Sequence, residues 1–164
     1  MKPWLVPRLH LITDPAVCSF EQLYEWLPRL LQAGIDAVHL RAPGVPAGEL
    51  LEVAAELRRC IVPPAVLLVN DRLDVALLCQ ADGVHLPERG LPVRAARELL
   101  GGGRLVGRSV HSVEAARAAA REGCDYLLYG NVYETASKPG AAARGLDALR
   151  EVVHATDVPV IAIG

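Results

Sequence analysis

The sequence predicts an α/β chain of parallel βα units arranged as a (β/α) barrel, incomplete at about seven strands and six helices, without the eighth βα unit. Three observations predict it. Short apolar runs alternate with longer amphipathic segments from Leu9 to the end of the chain. The runs are continuously apolar rather than alternating, as in strands buried on both faces. Nearly every run also ends on a polar side chain, at the rim where (β/α) barrels place their sites. An open doubly wound sheet shares the first two features. No Gly-x-Gly-x-x-Gly follows the first strand, however, so a dinucleotide-binding fold has no support.

Leu9–Thr13 reads as the first strand. Ser19, with Gln22 three residues on, is a capping-box signal for a helix carrying Leu23, Trp26, Leu27, Leu30 and Leu31. Pro28 lies inside that helix and Gly34 closes it. Ala37–Leu40 is the second strand, and Pro46 introduces a helix over Glu49–Cys60. Ala65–Val69 is the third strand, with Asp71 placed to cap the helix carrying Leu73, Val75, Leu77 and Leu78. Gly83–Leu86 is a short fourth strand, followed by a helix over Pro92–Leu100 that Gly101-Gly102-Gly103 stops. Leu105–Val110 is the fifth strand, and Ser112 caps the helix Val113–Glu122. Tyr126–Tyr129 is the sixth strand, Leu146–His154 the sixth helix and Pro159–Gly164 the seventh strand. No linker or internal repeat divides the chain, so one domain over residues 1–164 is expected.

Hydrophobic residues make up 52% of the chain and the net charge is −2, which argues against disorder and against a polyanion partner. No basic stripe interleaved with aromatics is present, so nucleic-acid binding is not expected. No signal peptide and no apolar run near the ~20 residues of a membrane span are found, and a cytoplasmic protein without membrane contact is the expectation. Cys18, Cys60, Cys79 and Cys124 are scattered without zinc-like spacing and read as small hydrophobes.

The residues just past the strands are Thr13-Asp14, Arg41, Asn70-Asp71, His85, Ser109 and His111, Asn131 and Gly164, nearly all of them polar. Capping or turn formation accounts for Asp14, Asp71 or Ser112 taken singly, less readily for the ring as a whole. The connection from Tyr129 to Gly145 is long and chemically mixed, which marks functional loops or disordered segments. It holds one of two asparagines (Asn131), one of two lysines (Lys138), Glu134, Thr135 and Arg144.

Val69-Asn-Asp-Arg-Leu-Asp-Val-Ala-Leu, Asp82-Gly-Val-His-Leu, Val106-Gly-Arg-Ser-Val-His-Ser and Pro159-Val-Ile-Ala-Ile-Gly, in this order, resemble the thiamine phosphate synthase superfamily over essentially the whole chain. The resemblance implies a TIM barrel whose small-molecule partner is a thiazole phosphate. In the synthase branch a pyrimidine pyrophosphate is coupled to thiazole phosphate with magnesium. Arg41 matches that branch, but Pro43 stands where its lysine belongs. Asp71 matches one magnesium carboxylate, while Gly90 falls on the second and Glu88 lies nearby. The frame Gly130-Asn-Val-Tyr-Glu-Thr, followed by Lys138, Gly140 and Arg144-Gly145, resembles the TenI-type thiazole tautomerases instead. The resemblance to that branch implies an isomerase that needs no metal or cofactor, with magnesium required only under the synthase alternative.

The tautomerase frame places Asn131 where its catalytic histidine stands, and an amide exchanges no proton at useful pH. The acid/base work then falls to His111 or Glu134, with His85 a further candidate; histidine titrates in the useful range without special tuning. Arg41, Ser109 and Lys138 are expected to bind anionic groups, and Asn70, Asn131 and Thr135 to orient the substrate. Asp71, Arg144 and Gly164 complete the expected substrate-binding set. Each has a plain structural alternative: His85 as a core imidazole, His111 as a helix cap, Glu134 as the partner of Arg144. A non-catalytic thiazole-phosphate-binding paralogue is the third reading. A barrel without its closing strand leaves parallel edges exposed, so a homo-oligomer covering them is expected.

Overall fold

The structure is a computed structural model that describes residues 6–135, 140 and 142–164. Its elements run β1 His10–Ile12, α1 Phe20–Gln32, β2 Ala37–Leu40, α2 Ala47–Cys60, β3 Val66–Asn70, α3 Leu73–Leu78 and β4 Gly83–Leu86. They continue with α4 Val93–Leu100, β5 Leu105–Val110, α5 Val113–Arg121, β6 Tyr126–Gly130, α6 Gly145–His154 and β7 Val160–Ile163. This is the alternation of the incomplete (β/α) barrel that the sequence predicts. No helix among the described residues is long and apolar enough to cross a membrane.

The chain forms two compact units, one of Met1–His85 with Leu100–Leu105, the other of Leu86–Leu99 with Val106–Gly164. In the first, β1 pairs with β2, β2 with β3 and β3 with β4, all parallel. In the second, β5 pairs with β6 and β6 with β7, again parallel. Every residue of β2, β4 and β6 is buried, which is why these strands lack an apolar–polar alternation.

Local signals explain the helix starts. The Ser19 hydroxyl accepts from the Gln22 amide at 3.3 Å and the Gln22 side chain accepts from the Ser19 amide at 3.2 Å, completing the capping box of α1. Ser112 likewise caps α5 by accepting from Ala115. At α3 the expectation fails. Arg72 is the residue before the helix, with no side-chain cap, and Asp71 instead takes a left-handed conformation at φ 63°. Aspartate tolerates that region better than most residues, and the turn lets the Asp71 amide donate to the His85 carbonyl at 3.0 Å.

A recurring carboxylate joins neighbouring strands at their N-terminal ends. Asp36, Asp82 and Asp125 each immediately precede an even-numbered strand. Each accepts through its side chain from a backbone amide of the preceding odd-numbered strand or its first flanking residue: Leu9 at 2.7 Å, Leu67 at 2.7 Å and Val106 at 2.8 Å. Each donates its own amide to the carbonyl of that same residue. Helices supply the counter-charges, Arg58 of α2 to Asp82 at 2.6 Å and Arg97 of α4 to Asp125 at 2.5 Å. A two-strand repeat, absent from the sequence-based expectation, therefore runs through the chain. In barrels this N-terminal face carries stability rather than chemistry.

Candidate active site at the strand ends

In the first unit, Thr13 closes the ends of β1 and β2. Its hydroxyl donates to the Arg41 carbonyl at 2.8 Å and accepts from the Arg41 amide at 2.9 Å. With its backbone so held, Arg41 extends a partly exposed guanidinium and spends one of its five donors on Asp14 at 3.0 Å. The expected anion binder is thus anchored at the rim. Asn70 ends β3 partly exposed, and Asp71 follows it exposed.

Below that rim lies a cluster only partly anticipated from the sequence. His10 Nδ1 and His39 Nε2 are 2.9 Å apart, and His39 Nδ1 lies 3.2 Å from Asn70 Oδ1. His85 packs obliquely on His39 with ring centres 5.1 Å apart. Burial is the leading cause that pushes His10 below the ordinary histidine range and His39 well below it, and each ring also disfavours charge on its neighbour at His39. His85 is buried, as its plain structural alternative supposed. His10 and His39 were missed because nothing in the linear sequence links them. The register does: Ile12 pairs with His39 and Asn70 with His85.

In the second unit, His111 is not a helix cap, a role Ser112 fills. Glu88 grips it twice, accepting from the His111 backbone amide at 3.1 Å and facing Nδ1 of its ring at 2.7 Å. Arg144 donates to the His111 carbonyl at 2.9 Å, so its guanidinium serves this group rather than the suggested bond to Glu134. Arg108 ties the β4–α4 loop down by donating to the carbonyls of Glu88 and Leu91, both at 2.6 Å. Ser109 lines a cavity of about 200 Å³ together with Glu88, Gly90 and Arg108. That volume is below the ~300 Å³ of ordinary ligand pockets.

Asn131 is buried, and its amide nitrogen donates to the Tyr133 carbonyl at 3.0 Å and the Ala142 carbonyl at 3.5 Å. The Asn131 carbonyl accepts from Arg144 and the Gly164 carbonyl from Tyr133. A Cβ on Gly164 would lie 2.8 Å from that of Asn131, so this close approach, at φ 92°, suits glycine. Glu134 is exposed and Thr135 half-buried on the same loop. Lys138 lies outside the described residues.

Comparison with known proteins places this arrangement. The family model described as thiamine monophosphate synthase matches residues 9–164. A putative thiamine-phosphate synthase of Geobacter sulfurreducens is 42% identical over 95% of this chain and 74% of its own. The thiamine-phosphate synthase of Clostridium acetobutylicum is 35% identical over 96% of this chain and 75% of its own. A thiamine phosphate pyrophosphorylase structure from Pyrococcus furiosus superposes with a TM-score of 0.83 at 35% identity, over 96% of this chain and 74% of that one. The chain thus spans about three quarters of the length of these relatives. They overturn the tautomerase expectation: the sixth-loop frame that suggested it is one segment, whereas relatives matched along nearly the whole chain bear the synthase name. The chain belongs to the thiamine monophosphate synthase family.

Proposed function

We propose that the chain is a thiamine-phosphate synthase, joining a pyrimidine diphosphate to thiazole phosphate with release of pyrophosphate. The observation that carries this reading beside the family is Asn131. A tautomer shift needs a proton carrier there, whereas an amide donating to backbone carbonyls carries none. Displacement needs none at that position. The thiazole nitrogen's lone pair forms the new C–N bond as the C–O bond to pyrophosphate breaks, and the electron pair leaves with pyrophosphate.

In this reading Arg41, Ser109 and Lys138 meet anionic groups, with Arg41 prepared for this by Thr13 and Asp14. Thr135 orients the substrate, and Asn131 and Gly164 brace the loop beside it. Glu88 and Arg144 hold His111 in place at the end of β5. The resemblance implies a magnesium site with two carboxylates. Asp71 supplies one, but Gly90 stands at the second position and Glu88 is engaged with His111. Among the described residues no group of three or more His, Cys, Asp or Glu could hold a metal ion. The two-carboxylate site does not fit this chain, and no step here runs through a metal.

A coupled pyrophosphate assay with each substrate omitted in turn tests the reading. Release only when both are present is the expected result, with kcat/KM reduced at least ~10-fold by Arg41→Ala, the scale of one lost charge-assisted contact. Substrate binding without pyrophosphate release, or conversion of a carboxythiazole tautomer without the pyrimidine, would defeat it.

A further inference from the structure

The β4–α4 loop of the second unit holds an exposed cation between fixed neighbours. Gly90 donates its amide to the Pro87 carbonyl at 2.8 Å, which closes a turn with Glu88 and Arg89 at its centre. Arg108 pins the turn and its exit by donating to the carbonyls of Glu88 and Leu91, both at 2.6 Å. Both carboxylate oxygens of Glu88 are spent on His111, one on its amide and one on its ring. Arg89 is exposed, and among the described residues its side chain has no hydrogen-bond or ion-pair partner. Arg108 and Arg144 of the same unit, by contrast, spend donors on backbone carbonyls. Glu88 and Gly90, on either side of Arg89, line the cavity that Ser109 also lines.

The two-carboxylate metal site fails at this same turn, since Gly90 offers no side-chain oxygen and Glu88 has none to spare. A diphosphate still needs positive charge against its oxygens, and a guanidinium supplies it with paired N–H donors. A fixed positive charge here also repels a divalent cation. We propose that Arg89 is an anion-binding residue that meets diphosphate oxygens beside Ser109, in the place a magnesium ion would otherwise fill. The ligand class is a diphosphate taken without a divalent cation. The pinned turn assists, because a backbone already held leaves less entropy to lose when the side chain closes on its ligand. The inference deepens the synthase reading, on which it rests for the identity of the diphosphate.

Calorimetry of the full chain with inorganic pyrophosphate, first in EDTA and then with excess magnesium, tests this. Binding is expected in EDTA, and magnesium should not strengthen it. Arg89→Ala should weaken it at least ~10-fold, the scale of one lost charge-assisted contact. The variant loses an exposed side chain with no partner, so its circular dichroism should match that of the unmodified chain. Arg117→Ala removes an equal charge from the exposed face of α5 and should leave the affinity unchanged. Unchanged affinity in Arg89→Ala, an equal loss in Arg117→Ala, binding that magnesium strengthens, or no binding in either buffer would overturn the proposal. No readout uses turnover. A chain that releases pyrophosphate can show Arg89 idle, and a chain that releases none can still bind through it.

Discussion

At Gly107 an added methyl carbon would sit 2.0 Å from Tyr126 Cζ, inside a fully buried ring. Gly107→Ala must therefore displace a phenol packed on all sides, and we expect it to lower stability by ~3 kcal/mol, the upper range for overpacking. Chemical denaturation would show this as a lower midpoint with an unchanged slope. Gly107→Ala combined with Tyr126→Leu should recover part of the loss, because the two sites share one space. In the sequence, Gly107 is only a letter in a motif. What makes it obligatory is the register that sets it opposite Tyr126. Asn70, Arg41 and His111 could be picked out in advance because a polar residue after an apolar strand is conspicuous. Glu88's hold on His111 and the histidine cluster could not, since both join residues whose neighbourhood exists only after strands pair.

Elements were easier to read than the contacts between them. β2, β4 and β5 run over the residues expected, and the capping residues Ser19 and Ser112 act as predicted. These are local signals, carried within one helix turn or one strand. Asp71 shows how such a signal misleads: an acidic residue near a helix start resembles a cap until its backbone turns left-handed. The carboxylates before β2, β4 and β6 drew no expectation from the sequence, as their partners lie 27, 15 and 19 positions away. Asp125→Ala should remove ~3–5 kcal/mol, since it leaves both the Arg97 guanidinium and the Val106 amide without their buried partner. Glu98→Ala, which breaks only the exposed pair with Arg94, is the control and should leave the denaturation midpoint within error.

For the molecule as a whole, the buried imidazoles predict how stability follows pH. His10 and His39 bind protons less readily in the folded chain than at the ordinary value of 6.5. As pH falls through 6.5 the unfolded chain takes up these protons while the folded chain stays neutral. Their contribution is therefore present above 6.5 and is lost below it, by ~1.4 kcal/mol for each pH unit over which His39 remains neutral only in the folded state. Urea midpoints at pH 7.5, 6.5 and 5.5 should fall in that order, and His39→Gln should flatten the decline. A decline equally steep in the variant would remove His39 as its source.

The aspartates before β2, β4 and β6 also bear on how the chain is assembled during synthesis. Each bonds to an amide that precedes it, so on the ribosome its partner has already been made when the carboxylate appears. The short spans keep the entropy of closing each loop low. Strand pairs can thus be fastened one after another as the polypeptide lengthens, each by a clasp that reaches backward and waits for nothing still to be translated.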